Sequence, residues 1–285
     1  MKFLYTSDLH GKINLYQELQ TLATSSSVEI IALGGDLLPS FPPTKRYEDM
    51  IPNQKAFVNH FLLPFFKRIV ETTSVKQIFV ISGNWDLGYP YLFKESKEWI
   101  IDLNQRIHQF ENGYELIGYP FVPPTPFRPK DYEKMDDREA AWPPQKNPSY
   151  IRSSDQSHLL VPVDPYHYLR ERETIFEDLD QLPKPLSLKK TIYIMHSPPF
   201  ETRLDFIQGK KSAGSRSIKS FIGKNQPLLT LHGHIHESPE ISLAYFDRLG
   251  ETLSINPGQF ISTKLHAVIF EVENIERTLT HTCYY

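Results

Sequence analysis

Three of the chain's eleven histidines, His232, His234 and His236, stand at every second position directly after the apolar run Leu229-Thr230-Leu231. Imidazoles crowded at a strand end are ordinary donors to a metal ion, although the same residues also line surface loops and polar cores. The cluster therefore carries chemistry only if other donors join it. The chain supplies them wherever an apolar run stops: Asp8 and His10, Asp36, Asn84, and His196. Taken singly, a polar residue after a strand is a turn former or a helix cap. Taken together, Asp8, His10, Asp36, Asn84, His196, His234 and His236 are seven oxygen and nitrogen donors after five apolar runs, the number expected of two metal ions sharing one carboxylate. Imidazole, carboxylate and amide without thiolate suit manganese, iron, cobalt or zinc better than magnesium or calcium.

Such donors need strands that end on one side. Residues 2–7 form a short apolar strand, and after Gly11 the positions Ile13, Tyr16, Leu19 and Leu22 recur at helical spacing until Ser25-Ser26-Ser27 breaks the pattern. Residues 28–33 then predict a buried strand running into Gly34-Gly35-Asp36, where glycine permits a sharp turn as the carboxylate is delivered. Strand, helix, strand implies a sheet with parallel strands, whose carboxyl ends are where ligands bind. Residues 47–70 carry a helical pattern with Pro52 and Pro64 marking a start and a kink, and 76–82 predict a third strand. Residues 91–106 read as helix, and 109–119 as a hairpin around Asn112-Gly113.

Between 120 and 165 the composition changes to prolines, the charge-rich 130–139, and Phe121, Phe127, Tyr132, Trp142 and Tyr150, which read as exposed aromatics. No strand or helix pattern persists there. We read it as an insertion beside the site, within one domain covering 1–285, with a passive surface loop as the alternative. Residues 166–182 predict a helix, 191–195 a strand, 215–223 a short helix with a Ser or Gly cap, and 228–231 a strand. Residues 252–255, 265–272 and 278–283 predict antiparallel β-structure, with Asn256-Pro257-Gly258 as a tight turn.

Hydrophobic residues make up 40% and charged residues 23% of the 285, ordinary globular usage, and no apolar run approaches the length needed to span a bilayer. The apolar start, residues 1–6, is too short for a signal peptide. Cys283 is the only cysteine, which rules out an intrachain disulfide and fits a reducing cytoplasm. A net charge of -3 argues against a nucleic-acid-binding surface and against a nuclease. The expectation is a soluble cytoplasmic protein with no membrane partner.

In the order Asp8-x-His10, Gly35-Asp36, Gly83-Asn84, His196 and Gly233-His234-x-His236, the chain resembles the calcineurin-like metallophosphoesterases over nearly its whole length. The resemblance implies an α/β fold: a two-sheet β-sandwich flanked by helices, in four layers α/β/β/α, with a dinuclear metal site at one edge. It implies Asp8, His10 and His236 on one divalent ion, Asn84, His196 and His234 on the other, and Asp36 bridging both, with manganese favoured over iron, zinc or cobalt. Two ions roughly 3.5 to 4 Å apart acidify a shared water and clamp phosphate oxygens for in-line displacement, so a bridging hydroxide is the expected nucleophile. Asp36 and Asn84 are the expected catalytic residues, since Asn84 can bind metal and also donate its amide hydrogens to phosphate. Pro198-Pro199, Leu204-Asp205, Gly214-Ser215 and His236-Glu237 further resemble small bacterial and archaeal members.

One departure matters. Much of the family has a histidine after the asparagine, thought to protonate the leaving group or stabilise the transition state; here that position is Trp85. Indole is no acid, and general acid catalysis contributes about 10² to 10⁴ in rate. Asp86 and His232 are the candidates by position, but Asp86 reads as a structural cap and His232 as a neighbour orienting a ligand. Trp85 is either packing or, with Asn84, part of substrate binding, a platform for an aromatic group such as a nucleobase. The expected function is hydrolysis of phosphoesters, phosphodiester or nucleotide-type. The alternative is a weak or inactive scaffold for protein interaction, against which the seven intact donors speak.

Overall fold

The computed structural model of the protein describes residues 1–41, 46–95, 97–141, 143–154, 159–261 and 263–283. Two six-stranded sheets lie face to face. In the first, β1 (Lys2–Thr6), β2 (Ile30–Leu33), β3 (Gln77–Val80) and β4 (Ile100–Asp102) run parallel in that order. In the second, β5 (Ile107–Gln109) pairs antiparallel with β6 (Glu115–Tyr119), which is followed in space by the parallel strands β9 (Thr191–Met195), β12 (Leu229–Leu231) and β14 (Thr252–Ile255). The remaining strands are β7 (Ser149–Arg152) and β8 (Leu160–Val163), a hairpin; β10 (Phe206–Ile207) and β11 (Lys211–Ser212), a second hairpin; and β13 (Phe246–Leu249), antiparallel on β14. On the free edge of β1, β15 (Val268–Glu271) and β16 (Thr280–His281) close the first sheet antiparallel.

Alternation along each strand divides its side chains between two cores. Phe3, Tyr5, Ile30, Ala32, Phe79 and Ile81 of the first sheet meet Ile192, Ile194, Leu229, Leu231 and Ile255 of the second, forming the core between the sheets. Leu4, Ile31, Leu33, Ile78 and Val80 face the other way, onto helices α1 (Ile13–Ser26), α2 (Met50–Phe57) and α3 (Leu63–Thr72). Tyr119, Tyr193 and Met195 of the second sheet face Ile175, Leu179, Ile218 and Ile222. These come from the outer helices: after α4 (Pro165–Arg170), α5 (Ile175–Gln181) supplies the first two and α6 (Arg216–Asn225) the last two. The result is the α/β/β/α sandwich. Short helices α7 (Ser238–Ser242) and α8 (Ile275–Thr278) complete the chain. No helix among the described residues is long and apolar enough to cross a membrane.

Several local expectations need correction. Among the described residues of 91–106 the expected α-helix is absent: a 3-10 helix, Tyr89–Phe93, precedes β4, because Ile100 and Ile101 gain more by pairing with β3 than the apolar spacing gains as a helix face. The expected helix 166–182 is two helices, since Thr174 and Glu177 form a reciprocal capping box that starts α5 afresh. Pro64 sits in the first turn of α3, and the kink is realised as a π-helical stretch, Val58–Leu62. Strand β14 is parallel to β12, its antiparallel partner being β13, an edge strand too polar to show in the pattern.

The segment 120–165 is more ordered than its composition suggested. It carries the β7–β8 hairpin, buries Phe121 and half-buries Tyr132 and Tyr150, while Phe127 is exposed and Trp142 lies outside the described residues. Two buried ion pairs hold it: Lys130 to Glu133 at 2.7 Å, with the Thr125 hydroxyl and N–H also donating to Glu133, and Lys134 to Asp178 of α5 at 2.7 Å. A buried pair of this kind fixes position more than it adds stability.

Candidate metal centre

Six of the seven predicted donors come together. Asp8 and His10 follow β1, Asp36 follows β2, and Asn84 follows β3, all from the first sheet; His196 follows β9, and His234 and His236 follow β12 of the second. Asp8, His10, Asp36 and His236 each offer an atom within 4.8 Å of the others, and so do Asp36, His196 and His234. Asp36 alone belongs to both groups. Asn84 is buried beside them, and its Oδ1, like His196 Nε2, has no hydrogen-bond partner. A buried amide oxygen and imidazole nitrogen left unpartnered next to two carboxylates are the atoms a cation would satisfy, so the donor set fits divalent metal.

The backbone bends to achieve this. Asp8, His10, Asp36 and His234 all have left-handed φ values, 62°, 46°, 51° and 65°, a conformation that non-glycine residues seldom adopt and that clusters at functional sites. Glycine is required beside them: a Cβ on Gly83 would collide with the Asp36 carboxylate, and one on Gly233 with Ser7 and Asp8. His234 N–H donates to both carboxylate oxygens of Asp8 at 3.1 and 3.0 Å, binding the second sheet's loop to the first sheet's ligand.

Charge is arranged in alternation. Burial opposes ionisation of Asp8, but His236, His196 and His10 hold its carboxyl well below the usual range; Asp36 is likewise lowered against burial, chiefly by His196. His196 is pushed up to about 9 despite burial by Asp36 and Asp8, and His236 is raised against burial by Asp8 at 3.2 Å. Burial, with repulsion from neighbouring imidazoles, lowers His10 to about 4 and His234 to about 3, leaving both neutral. The set thus offers two carboxylates, neutral imidazoles at His10 and His234, and a proton on His196 that a metal would displace. From Asp36, Trp85, His234 and His236 a cleft of about 690 Å³ opens outward.

The family profile of calcineurin-like phosphoesterases matches residues 1–238. The chain belongs to the calcineurin-like phosphoesterases. One crystal structure superposes on this phosphoesterase with TM-score 0.62 at 15% identity, covering 100% of this chain and 99% of the other. The protein TT1561 of Thermus thermophilus does so with TM-score 0.54 at 16% identity, over 98% and 97%. These likenesses show the fold. A dimetal phosphatase from Danio rerio is also similar, at 9% identity over 94% and 91%, TM-score 0.49. No curated protein matches the chain.

Other residues of this calcineurin-like phosphoesterase hold the ligands still. Ser40 Oγ lies 2.6 Å from His10 Nδ1, turning His10 Nε2 towards His236 and Asp36, and the Gly34 carbonyl sits 2.7 Å from His196 Nδ1. Asp86 accepts from Leu37, Leu38 and Gly83 N–H groups, so it caps the turns after β2 and β3 and is no free acid. His232 is tied to the Met195 and Ser197 carbonyls and to Thr230 Oγ1, bracing the strand ends from behind. Asp205 accepts from Glu201, Thr202 and Gly214 N–H groups and Ser215 caps α6, so part of the subgroup motifs shapes the loop after β9. Ser40 and Gln54, whose amide joins the Pro39 and Trp85 carbonyls and the Gly88 N–H, escaped the sequence reading because no spacing marks them.

Proposed function

We propose that the protein is a metal-dependent hydrolase of phosphoesters, favouring phosphodiester or nucleotide-type substrates. The observation that carries this is the sharing of Asp36 between two donor groups at the floor of an open cleft. Asp8, His10, Asp36 and His236 would hold one divalent ion, and Asp36, Asn84, His196 and His234 another, manganese being favoured. Bound there, the ions would supply positive charge to phosphate oxygens and acidify a water. Asn84 orients the scissile phosphate through its amide hydrogens.

Trp85 supports the substrate preference. Its ring is mostly buried, 4.9 Å from Phe41 and 5.4 Å from the exposed Phe127, and Trp85 and Phe127 together line the cleft as an aromatic edge for an aryl group or a nucleobase. With Asp86 capped and His232 turned away, neither candidate acid stands ready for the leaving group, so esters of acidic alcohols are the favoured substrates.

The test is to measure bound metal and then hydrolysis of aryl phosphate monoesters, aryl phosphodiesters and nucleotides with Mn²⁺. Turnover confined to acidic leaving groups is expected. Two equivalents of metal with no turnover on any class would overturn the proposal in favour of a protein-interaction scaffold.

A further inference from the structure

The cleft above the candidate metal ligands has a largely apolar lining. Its apolar lining includes Pro124, Phe127, Ala141, Phe200, Ile207 and Ile235. Three polar residues of the lining are already committed elsewhere. The Thr125 hydroxyl donates to Glu133, the Ser212 hydroxyl to Asp205, and the Asp136 carboxylate accepts from Ser215 Oγ and from the Arg216 and Ser217 N–H groups. Lys211, Arg216 and Glu237 supply charge to the lining, and the Arg216 guanidinium lies 3.6 Å from the Phe200 ring centroid, covering that ring. Along the proline, alanine and isoleucine part of the lining, a sugar or other hydroxyl-rich group would lose its water without finding partners. An alkyl group would lose nothing by the same transfer and would gain by leaving water.

Resting on the proposed phosphoesterase reading, we infer that the substrate is a phosphodiester with two unlike alcohols: an acidic, aromatic one against Trp85, and an alkyl chain along the proline, alanine and isoleucine surface. Two points of the lining are held before the chain enters: Asp136 by the first turn of α6, and Thr125 by Glu133 and Lys130.

The experiment compares 4-nitrophenyl phosphodiesters whose second alcohol lengthens from methyl to octyl, using the Mn²⁺-loaded protein. We expect kcat/KM to rise by up to about fourfold per added methylene over the first several carbons. Calorimetric binding of methyl phosphate and octyl phosphate reads the same gradient without turnover. Ile207→Asp and Ala141→Asp should each flatten both gradients. A flat or falling gradient in binding and in kcat/KM overturns the inference while leaving phosphoester hydrolysis standing. Tighter binding of octyl phosphate with no turnover of any diester upholds the apolar site and overturns the hydrolase reading.

Discussion

The Trp85 backbone N–H donates to Oδ1 of Asp36 at 2.8 Å, while Oδ2 of the same carboxylate lies 3.7 Å from His10 Nε2 and 3.6 Å from His196 Nε2. One oxygen is fixed by the backbone so that the other faces both halves of the site. Asp36→Ala should therefore lose the shared ligand itself, not merely one hydrogen bond. We expect bound Mn²⁺ to fall below one equivalent and activity to drop by more than about 100-fold, as measured by metal analysis and aryl phosphodiester hydrolysis. Full activity with less than one bound ion would refute the dinuclear site.

Ser40→Ala removes the hydroxyl that orients His10 through Nδ1. Loss of such a supporting contact typically weakens metal binding by about 10- to 100-fold. Metal titration should show one of the two sites weakened and the other unchanged; equal weakening of both would contradict the assignment of His10 to one ion.

Trp85→His places an imidazole after Asn84 while keeping the backbone N–H that Asp36 needs. Turnover of esters with poor leaving groups should rise by up to about 10², and the dependence of rate on leaving-group pKa should become shallower. An unchanged dependence would show that Trp85 does not limit the chemistry.

Asp86→Ala leaves three buried backbone N–H groups of Gly83, Leu37 and Leu38 without their acceptor. A destabilisation of several kcal/mol is expected from denaturant unfolding, at about 1 to 3 kcal/mol per abandoned group with partial relaxation. A variant as stable as the parent but lacking the alkaline limb of its pH–rate profile would instead make Asp86 the missing proton donor.

His281 gives the fold an acid sensitivity away from the site. Its Nδ1 accepts from the Cys283 N–H at 2.9 Å and its Nε2 lies 3.0 Å from the Pro257 carbonyl, an arrangement that only the neutral ring satisfies. Burial, with His266 nearby, lowers it from 6.5 to about 4. The folded protein thus binds this proton less readily than the unfolded chain, so stability is full above pH 6.5 and falls as the pH drops towards 4, by at most about 3 kcal/mol. Urea midpoints for the parent and His281→Asn should converge over that interval; a gap independent of pH would exclude the histidine as the cause.

Legibility in the sequence followed locality. Each ligand could be read because it stands one to five residues beyond an apolar run, and parallel strands deliver such residues to one side. The partition of donors came from family likeness, and the carboxylates and imidazoles stand in two groups that share Asp36, with Asn84 in neither. What could not be read depends on contacts distant in sequence. Residues 91–106 look helical until β3 claims Ile100, and Lys130 looks exposed until Glu133 and Thr125 enclose it. Ser40 reveals its purpose only when the chain brings it thirty residues back to His10.

Four of the ligands descend from one sheet and three from the other, with Asp8 and His234 joined across the seam. The gap between the sheets, filled by Phe3, Tyr5, Phe79 and their partners, is therefore a dimension of the candidate metal centre. Trimming a distant core side chain, such as Phe79→Leu, should alter the preference between Mn²⁺ and Zn²⁺ in a binding competition while every candidate donor is kept. Selection for metal identity could act through packing alone.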